Sequence, residues 1–283
     1  MLTGALFILA FFILLSFAVS EATRNYSQVD KLWSLVPPVY AWYYAVSSAW
    51  DPRLMLMAIL VTLWGARLTF NFSRRGGYSW PPWSGDEDYR WAVLRKNKLL
   101  KRRWIWTLFN FFFISIYQHV ILFLITLPCL FAAESSRIPL NTLDYVAALF
   151  FLAFLVIETL ADEQQYVFQA RKHRLIRIHK KNKDAIRGDY KLGFCTKGLF
   201  SFVRHPNFAS EQAQWIVFYF FSVAATENWF NLSGIGAILL VLLFQGSTAF
   251  TEKITLGKYP AYANYKRKVP RFIPSLGLLL QKK

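Results

Sequence analysis

The sequence predicts an all-α fold, a polytopic membrane bundle of about seven transmembrane helices. Composition is the first observation: 55% of the 283 residues are hydrophobic and the mean hydropathy is +0.29, which is too apolar for an ordinary soluble domain. The apolar residues also occur in blocks long enough to cross a bilayer, which needs about 20 residues. The third observation is that basic residues concentrate between particular blocks, as expected for a membrane topology.

Seven apolar blocks are candidate spans. The second is short and contains Pro37 and Pro38, and the sixth is short unless its helix begins near Pro206. For the first block a cleaved signal peptide is the alternative, but no Lys or Arg precedes it, which favours a retained helix. The seven spans are 1–20, 35–50, 54–72, 105–133, 142–161, 212–226 and 232–251.

The distribution of charge predicts the topology. The net charge is +17, and three segments hold 28 of the 33 Lys and Arg residues, whereas two short connectors, 134–141 and 227–231, hold one between them, Arg137. This positive-inside pattern predicts seven crossings with the N-terminus outside and the C-terminus in the cytosol, and it argues against a nucleic-acid partner. The three basic segments are 73–104, 162–211 and 252–283.

Cysteine and histidine usage predicts no metal site. Cys129 lies in a predicted span and Cys195 in a predicted cytosolic segment, which suits neither a disulfide framework nor zinc. The four histidines are scattered, and none forms a His-x-x-x-His pair. Since the chain also shows no internal repeat or low-complexity linker, we expect a single membrane domain over residues 1–283.

Polar side chains recur at helical spacing near the predicted cytosolic ends of four spans. A charged side chain near the bilayer centre costs at least ~2.5–3.5 kcal/mol of insertion free energy. Such residues are therefore expected to face a partner or a cavity. The stripes predict a shared cavity open to the cytosol, and side chains that snorkel to water from helix ends are the alternative. The four stripes are Arg67, Asn71 and Arg74; Glu158, Asp162, Gln165 and Gln169; Asn207, Glu211 and Gln214; and Gln245, Thr248 and Glu252.

A polar motif stands at the start of the sixth span. Arg204 and His205 supply donors suited to phosphate or carboxylate, Asn207 offers a donor and an acceptor, and Glu211 can accept from ribose hydroxyls or amides. Pro206 suits the first turn of a helix, where free backbone N–H groups also favour anions. The motif indicates a nucleotide-like ligand held at a helix start.

The order of two motifs resembles the steroid 5α-reductase superfamily, most closely its membrane branch of steroid reductase-like proteins. The layout is also similar to sterol reductases and isoprenylcysteine carboxyl methyltransferases. The resemblance covers roughly residues 60–275. Its motifs are GLFSFVRHPNF followed by Glu211 (198–211), KYPAYANY (258–265), VPRFIP (269–274), the blocks WGARL (64–68) and GDEDYR (85–90), and Glu158, Asp162 and Gln165.

The resemblance implies that residues 155–275 bind NADPH from the cytosolic side of an endoplasmic reticulum membrane protein. It places Asp162, Asn207 and Glu211 at the nicotinamide or ribose. The substrate implied is a flat lipid or sterol-like molecule that enters from the bilayer, and the reaction is hydride transfer to an activated carbon–carbon double bond. Residues implied at the phosphates or the pocket rim are Arg204, His205, Tyr262, Tyr265 and Arg271, with Gln165 as a weaker correspondence.

The sequence departs from the superfamily at the catalytic acid. Steroid 5α-reductases use a Glu/Tyr pair in their N-terminal half, but this chain has no Glu or Asp inside its first three spans. Tyr40, Tyr43 and Tyr44 could donate to a carbonyl, although aromatic residues here also suit interfacial packing. The catalytic residue is therefore unassigned. An S-adenosylmethionine-dependent methyltransferase of a lipid or prenylated substrate and a non-catalytic lipid-binding protein are the alternatives.

Overall fold

A computed structural model describes residues 1–135, 138–180 and 185–275 of the chain. Arg137, the basic residue of the predicted outer connectors, lies outside these ranges. Every regular element in the described ranges is helical and none is a β-strand, which confirms the all-α prediction.

Several short α-helices lie between the long ones. A π-helix, Asn110–Tyr117, joins α6 to α7, and single 3-10 turns, Gly198–Ser201 and Leu232–Gly234, precede α11 and α12. The α-helices are α1 Leu2–Thr23, α2 Gln28–Trp33, α3 Val36–Ser47, α4 Pro52–Ser73, α5 Tyr89–Leu94, α6 Arg103–Phe109, α7 Gln118–Ile125, α8 Leu127–Glu134, α9 Thr142–Ile178, α10 Asp189–Leu192, α11 Pro206–Thr226, α12 Ile235–Lys258 and α13 Tyr262–Lys268.

Five helical stretches in the described part of the chain are long and apolar enough to cross a membrane. Each has at least 18 residues and few charges, as a bilayer core of ~30 Å requires. The chain therefore has the character of a multi-pass membrane protein. The five stretches are Leu2–Thr23, Pro52–Ser73, Arg103–Ile125, Thr142–Ile178 and Leu232–Lys258.

The predicted count of seven spans is not confirmed. The block 35–50 forms α3, which has only 12 residues and is too short to cross at ~1.5 Å per residue. The block 212–226 belongs to α11, whose 21 residues begin at Pro206 and whose first half carries Asn207 and Glu211. Both stretches are helical, but neither is among the five candidate spans: α3 is too short, and α11 is too polar.

The predicted span 105–133 is also interrupted. Its helix ends at Ile125, and α8 starts at Leu127 after Thr126 leaves helical geometry. Pro128 explains the break, because proline lacks the N–H that would continue the helical hydrogen bonds. In contrast, α9 continues well past the predicted end at residue 161 and reaches Ile178 without interruption.

The chain forms two compact units. The N-terminal unit contains Met1–Phe151 and Trp215–Leu240, and the C-terminal unit contains Leu152–Gln214 and the described residues from Val241 onward. The helices α9, α11 and α12 each contribute a part to both units. The single membrane domain over residues 1–283 stays a prediction.

A buried ion pair organises the N-terminal unit. Arg53, in the first turn of α4, meets Asp144 of α9 through two hydrogen bonds of 2.8 and 2.9 Å, and their side chains are 2% and 0% exposed. The remaining Arg53 donors reach the carbonyl oxygens of Ile138 and Pro139, each at 2.8 Å. Both charges are thus satisfied within the protein, as a buried pair requires.

The Trp-rich loop that follows α4 is fixed to α2 by hydrogen bonds. The buried Lys31 donates to the carbonyl oxygens of Pro82 and Ser84, and the Gln28 amide donates to that of Trp83 at 2.9 Å. These contacts satisfy backbone groups that the loop itself leaves unpaired. The loop is therefore an ordered part of the N-terminal unit.

Candidate cofactor site

Two amide–carboxylate pairs join α9 to α11 within the C-terminal unit. The Asn207 amide donates to Asp162 at 3.1 Å, and the Gln214 amide donates to Glu158 at 2.6 Å. Glu211 lies between Asn207 and Gln214 on the same face of α11 and is also buried. The structure thus brings two of the predicted polar stripes together along one helix pair.

The segment that leads into α11 is fixed from two sides. Gly198 has a φ of +62°, a backbone conformation that favours glycine, and it opens the 3-10 turn. The side-chain oxygen of Gln164 accepts from the Leu199 N–H at 2.9 Å, and the Tyr265 hydroxyl donates to the Phe200 carbonyl. These contacts set the position at which α11 begins.

Backbone hydrogen bonds hold the C-terminal segment against the start of α11. The Arg204 N–H donates to the Pro270 carbonyl at 2.9 Å, and the His205 N–H donates to the Arg271 carbonyl at 3.2 Å. This pairing places Arg271, which the sequence puts more than sixty residues later, beside Arg204 and His205. The two motifs of the family resemblance therefore form one structure.

One buried carboxylate lies at the centre of this structure. Glu252 of α12 is 1% exposed and accepts from Arg204 Nε at 2.7 Å, and His205 Nε2 lies 3.1 Å from the same oxygen. Lys266 Nζ lies 3.2 Å and Arg271 Nη2 3.6 Å from the other oxygen, Oε2. We call Arg204, His205, Glu252, Lys266 and Arg271 the Glu252 cluster.

Arg204 connects the cluster to the C-terminal segment. Besides Glu252, its guanidinium donates to the carbonyl oxygens of Lys266, at 3.1 Å, and Val269. The side chain is buried, and its named donors are directed at protein acceptors. Arg204 therefore positions the other basic residues of the cluster around Glu252.

The Glu252 cluster carries excess positive charge. Arg204, Lys266 and Arg271 face a single carboxylate, so its fixed charges sum to a net positive value without His205. Lys266 and Arg271 are 45% and 29% exposed in their side chains, so both can reach a ligand from solvent. Arg271 also donates to Gln245 at 3.0 Å, which links the cluster to the predicted stripe on α12. Such an arrangement favours an anion.

The tyrosines of the C-terminal motif form an aromatic support for the cluster. Tyr262 and Tyr265 pack on Phe194, with ring centroids 5.1 and 5.6 Å from it. Burial raises the pKa of both tyrosine hydroxyls above its ordinary value, so both stay protonated at neutral pH. The Tyr265 hydroxyl donates a hydrogen bond to the Phe200 carbonyl, so its role is structural.

The predicted site residues thus fall into two adjoining groups of the C-terminal unit. Asp162, Asn207 and Glu211 belong to the α9–α11 pair, while Arg204, His205 and Arg271 belong to the Glu252 cluster, with Tyr262 and Tyr265 beneath it. Gln165 is half-buried on α9, one turn beyond Asp162. Sequence analysis did not select Glu252 as a site residue, although its stripe with Gln245 and Thr248 contained the signal.

The three candidate acid tyrosines lie on α3 of the N-terminal unit. Tyr40 and Tyr44 are fully buried, and the Tyr43 hydroxyl donates to the Met1 carbonyl at 2.9 Å. Their role in catalysis stays a prediction. Among the described residues, no group of three or more His, Cys, Asp or Glu side chains is arranged to hold a metal ion.

These features define a class: a helical multi-pass membrane protein whose C-terminal unit gathers basic residues around a buried carboxylate. Residues 16–269 match the family described as protein of unknown function DUF1295, and the chain belongs to that family. The family is part of the steroid 5α-reductase-like group, in agreement with the motifs of the sequence.

A relative in fission yeast aligns with most of this chain. The chain is 40% identical over 271 residues to an uncharacterised protein of Schizosaccharomyces pombe, and the alignment covers 91% of this chain and 75% of the yeast protein. No solved structure matches the chain.

Proposed function

We propose that the protein is a membrane-embedded, NADPH-dependent reductase of a carbon–carbon double bond in a lipid or sterol-like substrate. We also propose that it is part of the steroid reductase-like branch of its group, and that it lies in the endoplasmic reticulum membrane with its C-terminus in the cytosol. The single observation that carries the proposal is the excess of positive charge in the Glu252 cluster.

The donor set fits a phosphorylated dinucleotide. NADPH has a diphosphate and a 2′-phosphate, whereas S-adenosylmethionine has none, so a net positive cluster favours NADPH over the methyl donor. Lys266 and Arg271 are partly exposed and would bind phosphate oxygens, while Arg204 keeps them in position through Glu252 and the Lys266 and Val269 carbonyls.

The α9–α11 pair would bind the uncharged parts of the cofactor. Asp162 and Glu211 offer acceptors to ribose hydroxyls, and the Asn207 amide can donate to a carboxamide while its oxygen accepts. Bound NADPH supplies a hydride for the double bond. Asp162 and Glu211 are buried, and in such a low-dielectric environment hydrogen bonds to their carboxylates are stronger than in water.

The first experiment measures thermal unfolding of the detergent-purified protein with NADPH, NADH or S-adenosylmethionine. A ligand at about 100 times its dissociation constant adds ~2.7 kcal/mol of stability. We expect NADPH to stabilise the wild type, and we expect the shift to be lost in Asn207→Ala and Glu211→Ala. Asn228→Ala, at an exposed position in the N-terminal unit, is the matched control and should keep the shift.

Two results would overturn the reductase proposal. Stabilisation by S-adenosylmethionine and not by NADPH would favour methyl transfer, for which the buried carboxylates Glu158, Asp162 and Glu211 would suit the methionine amine. No shift with any of the three ligands would favour a lipid-binding protein without catalysis.

A further inference from the structure

The N-terminal unit contains a second basic site that the proposed reaction does not use. A cavity of about 210 Å³ is lined by Arg24, Arg95, Lys101 and Arg103 together with Glu21 and Trp106. Pockets that enclose drug-sized ligands measure ~300–1,000 Å³, so this cavity suits a smaller group than a dinucleotide. The kind of ligand that fits the cavity is therefore inferred from the side chains that line it.

The cavity has a net positive charge because its four lining cations, Arg24, Arg95, Lys101 and Arg103, outnumber its one lining carboxylate, Glu21. Glu21 accepts from the Asn110 amide at 2.8 Å and from the Thr107 hydroxyl at 3.2 Å. In the described ranges of the chain, no ion pair involves Arg24, Lys101 or Arg103. Three cations at one cavity that form no ion pair within the described part of the chain favour an anion.

Arg95 forms one wall of the cavity. It pairs with Glu87, and its guanidinium lies 5.4 Å from the centroids of both the Tyr26 and the Trp106 ring. These contacts hold the side chain in place at little further entropic cost on binding. The cavity therefore has an aromatic wall held by Arg95, beside the side chains of Arg24, Lys101 and Arg103.

The position of the cavity in the fold points to the membrane surface. Glu21 lies in the last turn of the span Leu2–Thr23, and Arg103 is the first residue of the span Arg103–Ile125. Two spans therefore end at the cavity. Trp104 is 63% exposed beside it, which is typical of the headgroup level of a bilayer.

An apolar groove continues from the cavity along the second of these spans. Arg103, Trp104, Thr107 and Leu108 line the groove, so it shares Arg103 with the cavity. Leu108 and, further along the span, Phe112 are exposed. A basic cavity followed by an apolar surface matches a molecule with an anionic head and apolar chains.

We propose that the cavity binds the headgroup of an anionic phospholipid. The phosphate contacts Arg24, Lys101 and Arg103, and an acyl chain lies along Trp104 and Leu108. The free anion and the lipid share the phosphate chemistry, but the apolar groove selects the lipid. This site is independent of the NADPH proposal, because none of its residues belongs to the Glu252 cluster or to the α9–α11 pair.

The test is a binding titration of the purified full-length protein in detergent with dioctanoyl phosphatidylserine. Dioctanoyl phosphatidylcholine and inorganic phosphate serve as separate probes. Each cation near an anionic lipid contributes ~1 kcal/mol, so we expect Lys101→Gln/Arg103→Gln to weaken phosphatidylserine binding about thirtyfold. Lys98→Gln/Arg102→Gln removes the same charges from neighbouring exposed positions outside the cavity and should change binding about twofold or less.

Three outcomes would overturn the proposal. Equal binding of phosphatidylcholine would show that the anionic head is not recognised. Equal loss in the control variant would assign binding to the general basic surface. Inorganic phosphate that binds as tightly as the lipid would assign the site to a free anion. If the double variant does not fold, Arg24→Gln tests the same cavity, with an expected loss of about fivefold.

Discussion

The two compact units differ in how they compensate buried charge. In the N-terminal unit Arg53 meets Asp144 one to one, and two backbone carbonyls accept its other hydrogen bonds. In the C-terminal unit one carboxylate, Glu252, faces three cations and a histidine. In a matched pair the two charges neutralise each other within the protein, whereas an excess of cations leaves positive charge that an anion from outside can neutralise. The comparison therefore separates a structural site from a candidate binding site.

The largest effect is expected where the matched pair is broken. Arg53→Met leaves the Asp144 carboxylate buried without its cation, and such changes cost about 3–5 kcal/mol. Thermal or denaturant unfolding in detergent measures this loss. The double variant Arg53→Met/Asp144→Leu should recover much of the stability. A single variant as stable as the wild type would contradict the structural role of the pair.

A smaller effect is expected in the mismatched cluster. Glu252→Gln replaces hydrogen bonds from charged groups to a carboxylate, each worth about 1.5–3 kcal/mol, by weaker ones. The amide oxygen of the variant can still accept from the buried Arg204, and Lys266 and Arg271 can turn to water. The distinguishing result is rescue: inorganic phosphate should stabilise Glu252→Gln more than the wild type. Glu227→Gln, at an exposed position, is the control and should respond to phosphate as the wild type does. Equal phosphate effects in all three proteins would mean that the cluster does not attract anions.

The smallest effect is expected at the support of the cluster. Tyr265→Phe removes the hydroxyl that donates to the Phe200 carbonyl and should cost about 0.5–1.5 kcal/mol in unfolding free energy. Tyr190→Phe is the matched control, because the Tyr190 ring stacks on Phe168 at 5.3 Å and keeps that contact as phenylalanine. If the two variants lose equal stability, the hydroxyl of Tyr265 is not a structural donor.

Local sequence signals predicted the helices that position the site. Pro206 predicted the start of α11, and the spacing of Asn207, Glu211 and Gln214 predicted one polar face, because both depend on helix geometry alone. The stripe on α9 was predicted for the same reason. The pairing of Asp162 with Asn207 requires the packing of two helices, which spacing along one helix does not contain.

Long-range charge pairing was the part that sequence reasoning missed. Glu252 stood in a predicted stripe, but its partner Arg204 lies 48 positions away, and nothing local links the two. Arg53 and Asp144, 91 positions apart, were not predicted as a pair for the same reason. The count of seven spans is not confirmed for a different reason: hydropathy identified the apolar block 35–50, but not that its helix has only 12 residues.

The central proposal is that the excess positive charge of the Glu252 cluster binds the 2′-phosphate of NADPH. The most direct test is equilibrium binding of NADPH and NADH to the wild type, Arg271→Gln and Arg267→Gln. The control residue, Arg267, is exposed on α13 and bonds to Asn264, outside the cluster.

We expect the wild type to bind NADPH about tenfold or more tightly than NADH, since a hydrogen bond to a charged group contributes ~1.5–3 kcal/mol. Arg271→Gln should lose this preference, and Arg267→Gln should keep it. Equal affinities of the wild type for NADPH and NADH, or a preference that Arg271→Gln retains, would contradict the claim.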